Sequence, residues 1–129
     1  MRGHNPLFMD PYDGAVLGKR FDPQWEPIRR NLGHALRLAR RLNLAAMIPQ
    51  DKLASTAYCL AHPGNSYAIY IPTGGKVNVN LRETTARFNV EWFAPPSGKT
   101  FADKPVTGGA DRQFAAPLDG DAVLLLSRS

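Results

Sequence analysis

The stretch Val90–Lys99, with the sequence VEWFAPPSGK, decides how this chain folds. Apolar Val90 and Trp92 alternate with Glu91, and the Pro-Pro-Ser-Gly run that follows turns the chain toward a return strand. Alternation with a period of two, ended by proline and glycine, is typical of strands joined by a tight turn. Near the C-terminus, Phe114–Leu126 repeats this order with a short strand, a turn and a closing apolar strand. Both segments predict antiparallel β-structure.

The same period of two extends through most of the chain after Ser55. Tyr67–Ile71 and Val77–Leu81 alternate in this way, and the Gly-Gly pair between them suits a turn with positive φ. The run Ala122–Leu126 is apolar throughout, which predicts a strand buried on both faces. With about seven short strands separated by turn signals, the chain is predicted to be mainly β, an antiparallel β-sandwich.

Residues 24–42 instead have the spacing of an N-terminal amphipathic helix. Proline lacks the amide hydrogen that a helix interior needs, so the regular helix is expected to begin near Glu26 or Pro27. The chain is therefore predicted to divide into residues 1–50, a loop and this helix, and residues 51–129, the β-sandwich domain. Five arginines fill one arc of the helix, and an apolar stripe fills another: Trp25, Ile28, Leu32, Ala35, Leu36, Ala39 and Leu42.

Composition places the chain among ordinary globular proteins and argues against several kinds of site. The single cysteine, Cys59, rules out an internal disulfide and is expected to be a buried thiol. Three histidines without zinc-site spacing predict no metal and no other cofactor. No apolar run is long enough to span a membrane, and without an apolar h-region no signal peptide is expected in this chain. The localisation stays open.

The net charge of +5 is concentrated in the first 50 residues. Eight Lys and Arg residues there outnumber four acids, and five of the eight lie on the predicted helix. Such charge attracts nucleic acid, but it is more often a solvated helix face opposite a core stripe. Nucleic acid is therefore an unfavoured partner.

Outward-pointing aromatic side chains are the best ligand-binding candidates in the predicted β-sandwich. If Phe88, Val90 and Trp92 point inward, Phe93 points outward, and Tyr70 is expected to do the same. Flat aromatic rings stack on sugars and on other protein surfaces, and docking against a neighbouring domain is the favoured interpretation. No catalytic arrangement is recognisable, because the acids lie in loops or beside a turn glycine.

Several segments resemble the C-terminal stretch of bacterial (β/α)8-barrel glycosidases related to apiosidase, namely His4–Asp13, Trp25–Arg30, Asn43–Met47 and Leu53–Ala61. The strands from Tyr67 to Leu126 resemble the β domain that follows the barrel, often labelled "putative collagen-binding domain of a collagenase". In that domain the turn after a Trp-Phe pair typically reads Asn-Pro-x-Thr-Gly, whereas this chain has Ala-Pro-Pro-Ser-Gly at 94–98. The resemblance covers nearly the whole chain through short structural motifs.

The resemblance implies a non-catalytic domain, because the family's catalytic carboxylates lie on earlier barrel strands. It places His4, Asn5 and Asp10 near the end of the barrel, where they would touch substrate in an intact parent protein. The parent family is often secreted. The implied function is that of an accessory domain that packs on a barrel or binds polysaccharide weakly. The alternative is a protein-binding, collagen-binding-like or self-associating module.

The apolar stripe of the predicted helix needs a partner. Without a barrel it would pack on the β-sandwich or on another copy of the chain, since an exposed stripe would form a large apolar patch and favour dimers. A strictly monomeric protein with an exposed helix would count against this expectation. The predicted interface residues are Trp25, Ile28, Leu32, Leu36 and Ala39.

Overall fold

The structure is a computed structural model that describes Pro23 and residues 26–129. Helix α1 spans Glu26–Arg41 and begins where the sequence predicts. Two 3₁₀ turns follow, and the rest of the described chain contains eight strands. In chain order these are β1 (Ile48–Pro49), β2 (Cys59–His62), β3 (Ser66–Ile71), β4 (Lys76–Asn80), β5 (Arg87–Ala94), β6 (Lys99–Thr107), β7 (Asp111–Ala115) and β8 (Ala122–Arg128).

The strands form two antiparallel sheets. Six strands make one sheet in the order β1-β2-β3-β8-β5-β6, and β4 and β7 make the other. The prediction of a mainly β antiparallel sandwich with an N-terminal helix is confirmed. The predicted division after residue 50 stays a prediction, although β1 already joins the large sheet through its pairing with β2.

The inner core lies between the two sheets. From β5, Phe88, Val90 and Trp92 point into it and are almost completely buried, as the alternation predicts. Each large apolar side chain buried in this way stabilises the fold by roughly 1.5–3 kcal/mol. The indole nitrogen of Trp92 keeps a hydrogen-bond partner, because its N–H donates to Oδ2 of Asp103 on β6 at 3.1 Å.

Strand β8 lies at the centre of the large sheet, between β3 and β5. Its Leu124 and Leu126 belong to the inner core, while Val123 and Leu125 belong to a second apolar cluster on the opposite face. Both faces are therefore buried, as the continuous apolar run Ala122–Leu126 predicts. Leu38 of α1 and Leu42, which directly follows the helix, pack against the outer cluster, so α1 covers the outer face of this sheet.

The turn between β3 and β4 needs glycine for two reasons. Gly74 and Gly75 have φ angles of +67° and +79°, as the sequence predicts for this pair. A Cβ on Gly74 would also lie only 2.7 Å from the carbonyl oxygen of Gly120. The turn is therefore held closely against the loop that leads into β8.

Cys59 is a buried structural thiol. It is fully buried on β2, within the inner core. Burial raises the pKa of its thiol to about 11, because a thiolate would be poorly solvated there. The side chain is therefore uncharged at neutral pH and packs as a small apolar group.

Candidate docking face

Helix α1 lies across the outer face of the six-stranded sheet. Its Leu38 packs against the outer cluster, which contains Phe93 and Val123. His34 is buried nearby, and its ring atom Nδ1 lies 3.0 Å from the carbonyl oxygen of Pro95. Because a carbonyl oxygen only accepts, the ring nitrogen donates this hydrogen bond. Apolar packing and a buried hydrogen bond therefore hold α1 on the sheet.

A second polar contact fixes the C-terminal end of α1. Arg41 forms an ion pair with Glu91 on β5. The shared hydrogen bond lowers the pKa of the Glu91 carboxyl and raises the pKa of the Arg41 guanidinium. The pair is partly exposed to solvent, so it contributes at most about 1 kcal/mol to stability. It orients α1 by placing the Arg41 side of the helix over β5.

The turn between β5 and β6 contacts the same side of the helix. Gly98 in this turn has a φ angle of +66°, a conformation that favours glycine. A Cβ on Gly98 would lie only 2.8 Å from atoms of both His34 and Arg37. The backbone therefore approaches α1 more closely than a larger residue would allow. The side of α1 that carries His34, Arg37 and Arg41 faces β5 and β6.

The apolar stripe of α1 points in a different direction. Successive residues of an α-helix are rotated by about 100°, so the centre of the stripe lies about 120° around the axis from the contact made by His34 and Leu38. Since the Arg37 side faces β5 and β6, the stripe points toward the β3 and β2 side. Ile28 remains 38% exposed and Leu36 remains 53% exposed. The sheet holds α1 without covering the most apolar part of the helix.

Two tyrosines extend the outer face of the sheet on this side. Tyr70 of β3 is half-buried, and its ring meets that of Tyr58 edge to face with centroids 6.0 Å apart. Tyr58 is 48% exposed. The Tyr70 hydroxyl donates to Oδ2 of Asp121 at 3.4 Å, and the pKa of Tyr70 is raised by burial and by this carboxylate. We call the following residues the docking face: Ile28, Leu32, Leu36, Ala39, Tyr58 and Tyr70.

The two aromatic residues predicted from the sequence have different environments. Phe93 does point away from Trp92, toward the outer face. Its predicted exposure is wrong, because α1 covers this face and leaves only 4% of Phe93 exposed. Tyr70 lies on the same face, two strands away, and stays partly accessible. A ligand-binding role for either residue stays a prediction, and at Phe93 it would require α1 to leave the sheet.

The predicted interface stripe is only partly accessible in the structure. Leu32 and Ala39 are half-buried, whereas Ile28 and Leu36 are exposed. The contact with the outer cluster is made by Leu38, which lies beside the stripe, and by Leu42 at the C-terminal end of the stripe. The role of the stripe as an interface stays a prediction. Four predicted site residues lie outside the described part of the chain, namely His4, Asn5, Asp10 and Trp25.

Sequence reasoning missed two residues that shape this face. His34 lies among the arginines of α1, and its partner Pro95 is 61 positions away. No local pattern links the two, so the orientation of α1 is not visible in the sequence. Tyr58 lies just before β2 and is placed beside Tyr70 by the strand pairing.

The docking face is suited to binding by burial of apolar surface rather than to catalysis. Contiguous exposed apolar patches on soluble proteins mark interaction sites. Within residues 26–129, no group of His, Cys, Asp and Glu side chains is placed to hold a metal ion. In the same part of the chain, no helix has the length and hydropathy that a membrane span requires.

Fold and surface together define a small β-sandwich with one covering helix and an apolar face left open. The chain belongs to the family described as "Putative collagen-binding domain of a collagenase", whose model matches residues 45–127. The match begins after α1, so it covers the β-sandwich and does not include the helix. No curated protein matches this chain.

Two solved structures share the fold. A chain named "Glycoside hydrolase" superposes with a TM-score of 0.71 at 16% identity, over 95% of this chain. The uncovered part of this chain is shorter than the 16-residue α1, so the superposition includes at least part of the helix. A glycoside hydrolase family 5 structure from Bacteroides vulgatus ATCC 8482 superposes with a TM-score of 0.68 at 13% identity, over 79% of this chain.

This chain corresponds to a minor part of each of those proteins. It covers 31% of the first chain and 25% of the second. At such low identity the likeness shows the fold alone. About two thirds or more of each glycoside hydrolase lies outside the part that resembles this chain.

Proposed function

We propose that this chain is a non-catalytic accessory domain of a glycoside-hydrolase-like protein and that its docking face packs against a catalytic barrel. The observation that carries the proposal is the apolar stripe of α1, whose Ile28 and Leu36 stay exposed although the helix is held on the sheet. The two glycoside hydrolases support the choice of partner, because the fold of this chain forms a quarter to a third of each. The larger remainder is the kind of neighbour that the stripe would meet.

The apolar character of the docking face favours a protein partner. Three of its large side chains are exposed to water, namely Leu36 and Ile28 on α1 and Tyr58 beside β2. Burying this apolar surface against a partner is favourable. Tyrosine is enriched in protein interfaces, and their fully buried core is more apolar than the rest of the surface. Arg30 and Arg37 are exposed on the other side of the helix. They would therefore keep their contact with water when a partner protein covers the stripe.

Three acidic side chains of the described chain make contacts that are consistent with a non-catalytic role. Asp121 is hydrogen-bonded to Tyr70, Asp103 to Trp92, and Glu91 is paired with Arg41. Hydrogen bonds and the ion pair lower the pKa values of Asp103 and Glu91, whereas a catalytic acid needs a raised pKa. The purified chain is therefore expected to release no chromophore from aryl glycosides.

The test begins with the DNA around the reading frame of this chain. An open reading frame for a (β/α)8 barrel, either fused to this chain or encoded next to it, would identify the partner. The barrel and this chain are then produced as two separately tagged polypeptides. The proposal predicts that they co-purify as a one-to-one complex. Absence of any barrel frame, or failure of a folded barrel to bind the chain, would contradict it.

Self-association is the second candidate, and the same exposed stripe favours it. Two copies could bury Leu36 and Ile28 against each other across a two-fold axis. Light scattering of the purified chain decides between the candidates. A stable dimer at micromolar concentration supports self-association, and a monomer that binds the barrel supports the accessory role.

A further inference from the structure

A cleft lies at one end of the sandwich and shares no residue with the docking face. It forms where the turn between β2 and β3, the loop between β4 and β5 and the end of β8 meet. Its volume is about 500 Å³, which is within the range of small-molecule binding sites. The cleft is therefore large enough for a ligand and spatially separate from the proposed interface.

Backbone hydrogen bonds fix the position of the cleft wall. The Asn65 N–H donates to the carbonyl oxygen of His62 at 3.0 Å, and the Asn65 carbonyl accepts from the Arg128 N–H at 2.8 Å. On the opposite wall, the side-chain oxygen of Asn80 accepts from the Arg82 N–H at 3.0 Å. The β2–β3 turn and the end of β8 are thereby joined, and the start of the β4–β5 loop is ordered by its own turn, which favours binding without a large ordering cost.

The floor of the cleft is a buried tyrosine. Tyr67 packs edge to face on Phe88 with ring centroids 5.5 Å apart, and its hydroxyl accepts from the Gly64 N–H at 2.8 Å. The Tyr67 hydroxyl donates no hydrogen bond to the described residues, so its hydrogen is available to a ligand. Leu53, which is partly exposed, adds apolar surface beside it.

The rim carries polar side chains that are free to bind. In residues 26–129, the side chains of Gln50, Glu83 and Arg128 make no hydrogen bond or ion pair within the chain. Amide, carboxylate and guanidinium groups each present two hydrogen-bonding atoms side by side, and this spacing matches two neighbouring hydroxyls of a sugar ring. The single acid and the single arginine balance in charge, which favours a neutral ligand over a polyanion.

We propose that this cleft is a binding site for a neutral saccharide. Choosing saccharides as the ligand class rests on the proposed function in a glycoside-hydrolase-like protein, whereas the site itself rests on the geometry of the cleft. Gln50, Glu83 and Arg128 bind ring hydroxyls, and the Tyr67 hydroxyl donates to a further oxygen. Leu53 contacts the apolar C–H groups of the ring. Since the cleft lacks an exposed aromatic platform, affinity is in the millimolar range, as for a site that relies on hydrogen bonds in water.

The test is a titration of the isotope-labelled chain, followed by amide NMR shifts. The probes are cellobiose, xylobiose, mannobiose and galactobiose, each raised to about 10 mM to suit millimolar affinity. The expected result is a saturable shift of amides around Gly64, Asn65 and Thr84 with at least one neutral sugar. Digalacturonic acid is expected to bind more weakly, because the balanced rim charges give no net attraction that would offset the desolvation of its carboxylates. No shift at the cleft with any of the four neutral sugars would overturn the proposal.

Variants distinguish the cleft from a nonspecific effect. Arg128→Ala and Glu83→Gln each remove a rim charge whose side chain makes no hydrogen bond or ion pair within the described chain, so the fold should be unaffected. Each is expected to lower affinity about tenfold, the loss of one charge-assisted hydrogen bond. Arg40→Ala, which removes an exposed arginine on α1, is the matched control and should leave affinity unchanged. Equal affinity in Arg128→Ala and the wild type would contradict the proposed site. Because these experiments need no barrel, failure here leaves the docking proposal to its own test.

Discussion

The ring of His34 on α1 donates a hydrogen bond of 3.0 Å to the carbonyl oxygen of Pro95, in the turn between β5 and β6. This contact joins two segments 61 positions apart and turns the polar side of the helix toward the sheet edge. As a consequence, the apolar stripe of α1 faces away from the strongest contact. The rotation of one helix thus leaves an apolar face open on an otherwise well-packed domain.

Replacing His34 should loosen α1 from the sheet. His34→Ala removes a buried hydrogen bond and leaves the Pro95 carbonyl without its partner, so we expect a loss of about 1–3 kcal/mol in the free energy of unfolding. Arg30→Ala removes a solvent-exposed side chain one turn before His34; it is the control and should change stability by less than about 0.5 kcal/mol. Chemical denaturation measures both. Equal stability of the two variants would show that the contact does not hold the helix.

Gly98 offers a test of how closely the β5–β6 turn approaches the helix. Gly98→Ala places a Cβ 2.8 Å from His34 and Arg37, in addition to the cost of its positive φ. Gly75→Ala has a similar φ, but no atom lies within 4 Å of the added Cβ. Gly75→Ala should therefore cost about 1–2 kcal/mol, and Gly98→Ala clearly more. If thermal unfolding finds the two equally destabilised, the turn does not contact α1 as described.

Phe93 is expected to act in stability and not in ligand binding. It is 4% exposed beneath α1, whereas Phe101 on β6 is 40% exposed. Phe93→Ala should cost about 3–5 kcal/mol, because it leaves a cavity between the helix and the sheet. Phe101→Ala should cost clearly less. A Phe93→Ala variant of unchanged stability that loses retardation by soluble polysaccharide in a native gel would instead support a sugar-stacking role.

Burial of Cys59 predicts low thiol reactivity in the folded protein. Because its pKa is raised to about 11, the thiolate needed for reaction with a disulfide reagent is scarce near neutral pH. Unfolding in guanidinium should restore rapid reaction, and rapid labelling of the native chain would contradict the buried position.

The same shift predicts the direction of pH dependence. The folded pKa lies above the ordinary value of 9.0, so the stabilising contribution is fully present below that pH and is lost as the pH rises through about 11. Cys59→Ala should remove this part of the decline. If the wild type and Cys59→Ala lose stability in parallel over that interval, the thiol is not the group responsible.

Much of the fold could be predicted because its signals are local. The alternation around Trp92, the apolar run of β8 and the proline near the start of α1 each report on a single element. The cover over Phe93 could not be predicted, because alternation shows which face a side chain is on and not what lies above it. The sequence also favours packing of α1 through its apolar stripe, whereas His34 and Gly98, brought together by the fold, orient it differently.

The cleft above Tyr67 was not predictable for a related reason. Its walls come from three segments with no shared motif, and Asn65, Asn80 and Glu83 look like ordinary turn residues in the sequence. Only the antiparallel pairing of β3 with β8 brings Arg128 to the same end as the turn between β2 and β3. These residues can be recognised as parts of one cleft only once the strand topology is known.

The central claim is that the apolar stripe of α1 packs against a barrel. The most direct measurement is the affinity of this chain for the separately produced barrel encoded with it, by isothermal titration. Leu36→Glu places a charge in the stripe and should weaken binding about a hundredfold or more, because a carboxylate buried without a partner is costly. Arg30→Glu, on the other side of the same helix, should bind as the wild type does. If Leu36→Glu binds as tightly as the wild type, the docking face is not the interface and the proposed role of α1 is wrong.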